Sequence, residues 1–391
     1  MIVDRSKCKS CGFCELVCIS KECVECLACY YSCPFEARKI EEKKKKEEKV
    51  TIFFDDLRFE VPKTTVAKAL QTIGFKFKDP GNEPSLSCKT GGCWSCALLI
   101  NGKVERACIT PVKDNMKISF GEFEPRRIIH GPEPHLVGGK ATPWWEVDYL
   151  HYVEAAVWTA GCNLRCPQCQ NYTVTYDNFS KALSPKEAAE LLAFCHKTYR
   201  TKGVAISGGE PTLNRKWLVK FFRELSKITE KRVRRHLDSN GTILTRDYVD
   251  ELVDAGCNNI GIEPKCVSVE TYMKITGLDD KELASKYLEN AWKIAKYICD
   301  EHSGVYLGIG LVYNSALVSF EEIAEAGEKI AKISGEVQVT VLDYFPAFRR
   351  RDLKRPSYEE MIKVRSILEG QGLKNVVVQT VRGHVTPHNR R

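Results

Sequence analysis

Fifteen of the nineteen cysteines in this 391-residue chain fall into three tight groups, at residues 8–33, 88–108 and 162–169. A disulfide framework spreads cysteines to staple distant loops, whereas closely spaced runs present several thiolates to one inorganic centre. The chain is therefore expected to build its N-terminal part around such centres, in a reducing, cytoplasmic setting. No apolar run reaches the roughly 18 residues of a membrane span, and the start "MIVDRSKCKS" lacks the apolar core of a secretion signal. A net charge of +8 permits an acidic partner but does not call for nucleic acid.

In residues 1–40, Cys8, Cys11, Cys14 and Cys18 form C-x2-C-x2-C-x3-C, and Cys23, Cys26, Cys29 and Cys33, followed by Pro34, repeat it. The doubled run resembles bacterial two-cluster ferredoxins. That resemblance implies two [4Fe-4S] clusters with crossed ligation, one on Cys8, Cys11, Cys14 and Cys33, the other on Cys23, Cys26, Cys29 and Cys18. So short a module buries little apolar surface, and the clusters would serve as its core. Ile19 stands where the family often has proline, and two four-cysteine zinc sites are the alternative. The tract "KIEEKKKKEEKV", residues 39–50, mixes both signs of charge and reads as a solvated connector.

Residues 51–122 hold two β-rich runs in "VTIFFDDLRFEVP", a short helix carrying Val66, Leu70 and Ile73, and a hairpin in "ALLINGKVER". Between and after them lie Cys88, Cys93, Cys96 and Cys108, a C-x4-C-x2-C run with a distant fourth cysteine, the plant-type [2Fe-2S] arrangement. The stretch resembles the β-grasp ferredoxin domain of succinate dehydrogenase iron–sulfur subunits. Gly91 matches a loop glycine of that family, while Trp94 replaces a second one and would shield the cluster or face a partner. Zinc is again the alternative.

"GPEPHLVGGKATPWW", residues 131–145, reads as an ordered connector in which Trp144 and Trp145 pack one domain onto another. Across residues 150–391, apolar strands alternate with helical segments at βαβ spacing. The pattern predicts a multidomain α/β chain whose last domain is a partial or complete (β/α) barrel, with ligands at the glycine-rich strand ends.

That domain opens with "TAGCNLRCPQCQN", in which Cys162, Cys166 and Cys169 supply three thiolates and leave a fourth position open. One βα unit later comes Ser207-Gly208-Gly209-Glu210-Pro211. The combination resembles the radical S-adenosylmethionine superfamily. The resemblance implies a third [4Fe-4S] cluster on the triplet, whose open iron binds S-adenosylmethionine. Gly208, Gly209, Glu210 and Pro211 would lie at its methionine end, where exposed amides and the Glu210 carboxylate meet the ammonium. An electron from a low-potential donor would then yield methionine and a 5′-deoxyadenosyl radical that abstracts hydrogen.

"HLDSNGT" and "IGIEPK" resemble strand ends of pyruvate formate-lyase activating enzymes, which implies that Asp238 and Asn240 lie near the cosubstrate and that Lys265 is the matching lysine. Glu263 and Pro264 depart from that pattern. Lys265 reads equally as a catalytic contact to a carboxylate or as a solvent-facing lysine. Cys195, Cys257 and Cys299 read as packing thiols; Cys266, after Lys265 at a strand end, reads as a packing thiol with a catalytic one as the alternative, and His384 and His388 are insufficient to call for a metal site. The implied function is a radical oxidoreductase supplied with electrons by its own clusters, three [4Fe-4S] and one [2Fe-2S], acting on a protein or a small molecule. The alternative is a multi-cluster electron-transfer subunit with a non-catalytic barrel.

Overall fold

The computed structural model describes residues 1–20, 23–40 and 48–387, so most of the charged connector and His388 lie outside the described residues. In the N-terminal module the strands Ile2–Val3 and Arg38–Lys39 pair antiparallel and bring the two ends of the module together. Its short helices, Phe13–Leu16 and Ala28–Ser32, each follow a residue in the left-handed region, Gly12 and Leu27.

The next unit is a five-stranded sheet. Lys49–Phe54 and Leu57–Pro62 form a hairpin through Asp55 and Asp56, both at positive φ, as tight hairpin turns require. Ala97–Ile100 and Lys103–Arg106 form a second hairpin through Asn101 and Gly102 for the same reason. Lys49–Phe54 also pairs in parallel with Met116–Ser119, and the helix Val66–Thr72, capped by the Thr65 hydroxyl, buries Val66, Ala69 and Leu70. This is the expected β-grasp arrangement.

The remaining strands form a ten-stranded sheet. From Glu154–Thr159 through Gly203–Gly208, Arg234–Ser239, Asn259–Lys265, Tyr306–Tyr313 and Gln338–Asp343 to Asn375–Thr380, they run parallel in chain order. The sheet ends on antiparallel strands at both edges, and the barrel is partial. Crossover helices cover it. Pro185–Tyr199 starts with a Ser184/Glu187 capping box, and Arg215–Ile228 buries Trp217, Leu218, Phe221, Phe222 and Leu225 along one face. No helix among the described residues is long and apolar enough to cross a membrane.

Two expectations change. Gly131–His135 is not connector but the second half of the strand Arg127–His135, which pairs antiparallel with Glu154–Thr159. Its register shifts between His130 and Glu133, which accommodates Pro132 where a regular ladder would need its N–H. Trp144 and Trp145 do not join two domains. They close the lower end of the barrel, where Trp144 Nε1 donates to Asn375 Oδ1 at 3.0 Å and Trp145 packs edge-on against Tyr306.

Candidate active site

A cavity of about 150 Å³ sits at the C-terminal ends of the parallel strands, lined by Cys162, Cys166 and Cys169 together with Ser207 to Glu210, Asp238 to Asn240, Glu263 and Lys265. The fold thus gathers the triplet, the glycine-rich turn and both later strand ends into one place. Pro211 does not line the cavity; it begins a buried 3-10 turn beneath it.

The two glycines are needed for a different approach from the one expected. A Cβ on Gly208 would lie 2.3 Å from Thr159 N, and one on Gly209 would lie 2.4 Å from Gly161 O. Both therefore let this turn close onto the backbone that leads into Cys162. The amides are not exposed: Gly209 N donates to Thr159 O at 2.8 Å and Glu210 N to Gly161 O at 2.9 Å. Nor is the Glu210 carboxylate free. Its oxygens accept from Thr212 N, Thr212 Oγ1, Ser239 Oγ and Asn240 N at 2.6 to 3.1 Å. Glu210 ties one strand end to the next, and Asn240 Nδ2 continues the tie to Asn163 Oδ1 in the cysteine loop at 3.1 Å.

Burial pushes the thiols of Cys162 and Cys169 up, and that of Cys166 up to about 11 although Lys265 acts to lower it. Three half-buried cysteines meeting at one cavity suit an iron centre, which would overcome this upward push by holding each sulfur as thiolate. Gln170 Nε2, at the cavity wall, is a buried donor with no partner in the protein. The donor set fits an open iron–sulfur cluster with a polar cosubstrate. Among the described residues no three His, Cys, Asp or Glu side chains form a site for a single metal ion.

Lys265 is not solvent-facing: it is 6% exposed. The strand shifts register between Ile262 and Lys265, around Pro264, and Lys265 adopts φ 74°. The bulge aims Glu263 and Lys265 into the cavity together, where Lys265 Nζ donates to Glu263 Oε1 and faces Tyr344 Oη at 3.5 Å. Cys266 points away. It is buried beneath Trp292, whose indole donates to its carbonyl, so it packs.

The cavity also holds a residue that the sequence reading missed. Lys140, from the Gly-Gly-Lys of the connector, rises through the barrel to meet Glu263 Oε2 at 3.1 Å and Asp238 Oδ2 at 3.5 Å. Two glycines of the strand Tyr306–Tyr313 make room for it: a Cβ on Gly308 would sit 2.0 Å from Lys140 O, and one on Gly310 would sit 2.6 Å from its Cδ. Below, His236 lies between Glu154 Oε2 at 3.3 Å and Asp238 Oδ1 at 3.1 Å. Burial alone would lower the imidazole pKa, but the two carboxylates outweigh it and raise the value to about 9.

In the β-grasp unit Cys88, Cys93, Cys96 and Cys108 are all buried. Thr90 Oγ1, in the loop between Cys88 and Cys93, is a buried hydroxyl without a partner among the described residues, a donor that fits a sulfur of a [2Fe-2S] centre. Trp94 adopts φ 62°, a left-handed conformation that glycine takes without strain. Its indole packs on Ile128, Ala160 and Ala182 of the barrel, under the Arg106 guanidinium. In the N-terminal module, Cys18, Cys23 and Cys26 all act electrostatically on Cys29, a grouping consistent with the crossed ligand set. Cys14 Sγ accepts from Arg38 Nη2 at 2.9 Å, and the buried Cys33 Sγ accepts from Ala37 N at 3.3 Å.

A model of the radical SAM superfamily matches residues 157–325, and a model of the 2Fe-2S iron-sulfur cluster binding domain matches residues 47–121. The chain carries a radical SAM domain. The radical SAM match opens in the strand before Cys162 and ends in the helix Phe320–Ala331, short of the last parallel strands. Among curated proteins, a probable GTP 3′,8-cyclase of Methanococcus aeolicus is 32% identical over 134 residues, 34% of this chain and 43% of that protein. Another, from Saccharolobus solfataricus, is 35% identical over 121 residues, 31% of this chain and 37% of that protein. The chain thus spans less than half the length of these relatives. Among solved structures, Streptococcus suis SuiB is 16% identical with a TM-score of 0.46, covering 59% of this chain and 49% of that one.

Proposed function

We propose that this chain is a radical SAM enzyme that abstracts hydrogen from its substrate and carries its own electron relay in residues 1–40 and 51–122. The observation that carries the reading is the meeting of Cys162, Cys166 and Cys169 with Ser207 to Glu210, Asp238, Asn240 and Lys265 around one cavity. When bound there, the cluster and S-adenosylmethionine supply a 5′-deoxyadenosyl radical through one-electron cleavage of the sulfonium. The chain's own part is to hold and shield. The cysteines anchor the cluster, Lys140 and Lys265 against Asp238 and Glu263 fix charged groups of the ligand, and Leu342 and Tyr344 line the remaining wall.

The relay reading is supported by how closely the cysteine loops meet. A Cβ on Gly161, next to Cys162, would lie 2.7 Å from Cys93 N, so the two loops touch backbone to backbone. On the other side Arg349 donates to the carbonyls of Tyr30, Tyr31 and Cys33 in the N-terminal module, while its own amide donates to Pro167 O in the triplet. An external low-potential carrier would supply the electrons.

For the substrate, the strand ends at Asp238 and Lys265 favour a protein partner, as in the activating enzymes they resemble. The names of the curated relatives favour a small molecule instead. Anaerobic reconstitution with candidate substrates separates the two. An activating enzyme leaves a radical on the partner protein, seen by electron paramagnetic resonance, together with 5′-deoxyadenosine. A small-molecule enzyme turns over without one. No 5′-deoxyadenosine from the reduced, fully loaded protein under either condition would overturn the proposal.

A further inference from the structure

Arg127 is 0% exposed, a guanidinium buried where a charge needs a counter-charge. Among the described residues no carboxylate lies within ion-pair distance of it. Nη1 donates to Pro211 O at 2.7 Å, and Nη2 donates to Glu210 O at 2.6 Å and Ala160 O at 3.0 Å, all neutral carbonyls. Nε has no partner. The nearest candidate acid, Glu210, is no remedy, because its carboxylate is taken up by the four donors described above and Arg127 reaches only its main chain.

The guanidinium stands at the seam between two sites. Ala160, whose carbonyl it holds, leads into Gly161, and a Cβ on Gly92 would lie 2.7 Å from Gly161 N and 3.0 Å from Ala160 C. Gly92 precedes Cys93. Across the same seam Asn214 Nδ2 donates both to Cys93 O at 3.1 Å and to the carbonyl of Arg126, the neighbour of Arg127, at 3.2 Å. Burial pushes the Arg127 guanidinium pKa down, and negative charge on Cys93 and Cys88 acts against that push.

We infer that Arg127 is the built-in counter-ion of the centre held by Cys88, Cys93, Cys96 and Cys108, and that the same guanidinium fixes the Glu210–Pro211 turn at the cavity. The inference rests on reading those cysteines as a [2Fe-2S] site. Four thiolates around two irons and two sulfides carry net negative charge, and reduction by one electron adds another without making or breaking a bond. A buried cation beside them stabilises the reduced form and raises the reduction potential. Arg127 is thus a positioning and tuning residue: it sets how readily the centre accepts an electron from a protein donor while holding the turn over which the cosubstrate lies.

The test compares the full-length wild type, Arg127→Met and Arg127→Lys by redox titration of the [2Fe-2S] paramagnetic signal, with S-adenosylmethionine affinity measured in parallel. Arg127→Met should shift the midpoint to more negative potential and weaken cosubstrate binding about tenfold; Arg127→Lys should keep the potential closer to wild type. An intact signal at unchanged potential in Arg127→Met would overturn the inference. If that variant yields no loaded protein, Arg127→Gln decides, because it keeps amide donors for the carbonyls and loses the charge: its midpoint should also move to more negative potential, and an unchanged midpoint would overturn the inference. A wild type with no [2Fe-2S] signal would instead remove the underlying reading of residues 51–122.

Discussion

Arg165 Nη2 donates to the carbonyl oxygen of Cys88 at 2.5 Å, while Nη1 of the same guanidinium donates to Cys162 O at 2.8 Å. The face of that guanidinium lies 4.5 Å from the ring centroid of Tyr31. One side chain in the triplet loop therefore touches the loops of all three cysteine groups. Asn178 makes a second such join, since its Nδ2 donates to Val17 O beside Cys18 and to Thr90 O between Cys88 and Cys93.

Removing that clamp should interrupt donor-driven electron supply more than the cavity chemistry. Charge-assisted hydrogen bonds are worth about 1.5–3 kcal/mol each. Arg165→Ala is expected to slow 5′-deoxyadenosine formation about tenfold with a protein donor and much less with dithionite. Equal slowing with both reductants, measured by rapid quench, would place Arg165 in service of the cavity alone.

Metal analysis checks the ligand sets. Three [4Fe-4S] clusters and one [2Fe-2S] correspond to about 14 irons per chain, and Cys93→Ala should lower the total by about two. Cys166→Ala should abolish 5′-deoxyadenosine while the N-terminal cluster signals persist. Zinc at Cys8 to Cys33 would refute the relay and leave the radical chemistry standing.

Lys265 and Glu263 form a buried pair, and truncating one member strands the other. Lys265→Met should destabilise the fold by about 3 kcal/mol, the low end for a broken buried pair, because Lys140 still faces Glu263. Adding Glu263→Gln should recover part of that loss in denaturant unfolding. Full additivity of the two single losses would show that the pair is not coupled.

His236 predicts a loss of stability with alkaline pH. Its folded pKa of about 9 lies above the ordinary imidazole value of 6.5, so the ring binds its proton more tightly in the folded chain. The contribution is complete below 6.5 and disappears as pH rises through 9; its upper size is roughly 3 kcal/mol. Denaturant unfolding between pH 6 and pH 9.5 should show this decline, and His236→Gln should remove that part of it. An unchanged slope in the variant would exclude His236 as its source.

Local spacing carried most of the elements and the cysteine groups. The triplet with its Gly-Gly-Glu-Pro turn, the C-x4-C-x2-C loop and the βαβ alternation are short-range patterns, and each lies where the spacing put it. The last parallel strand, Asn375–Thr380, shows the apolar run of a buried strand in "NVVVQT", whereas the edge strand Gly383–Val385 is too short for any such pattern. Arg127–His135 was hidden because proline and glycine suggest a loop, and only pairing with Glu154–Thr159 makes it a strand.

By itself the sequence determined that fifteen cysteines fall into three local groups, because residues a few positions apart, or joined by a returning hairpin, are brought together by chain geometry alone. It also determined the parallel order of the barrel, since helical connections of that length leave little other choice. Tertiary structure alone decided how the charges are shared. Lys140 reaches Glu263 and Asp238 over more than ninety residues of chain, Arg127 reaches the Gly-Gly-Glu-Pro turn, and Arg165 reaches Cys88. A buried charge is satisfied by whatever the fold brings beside it, and nothing in local spacing records which distant partner that is.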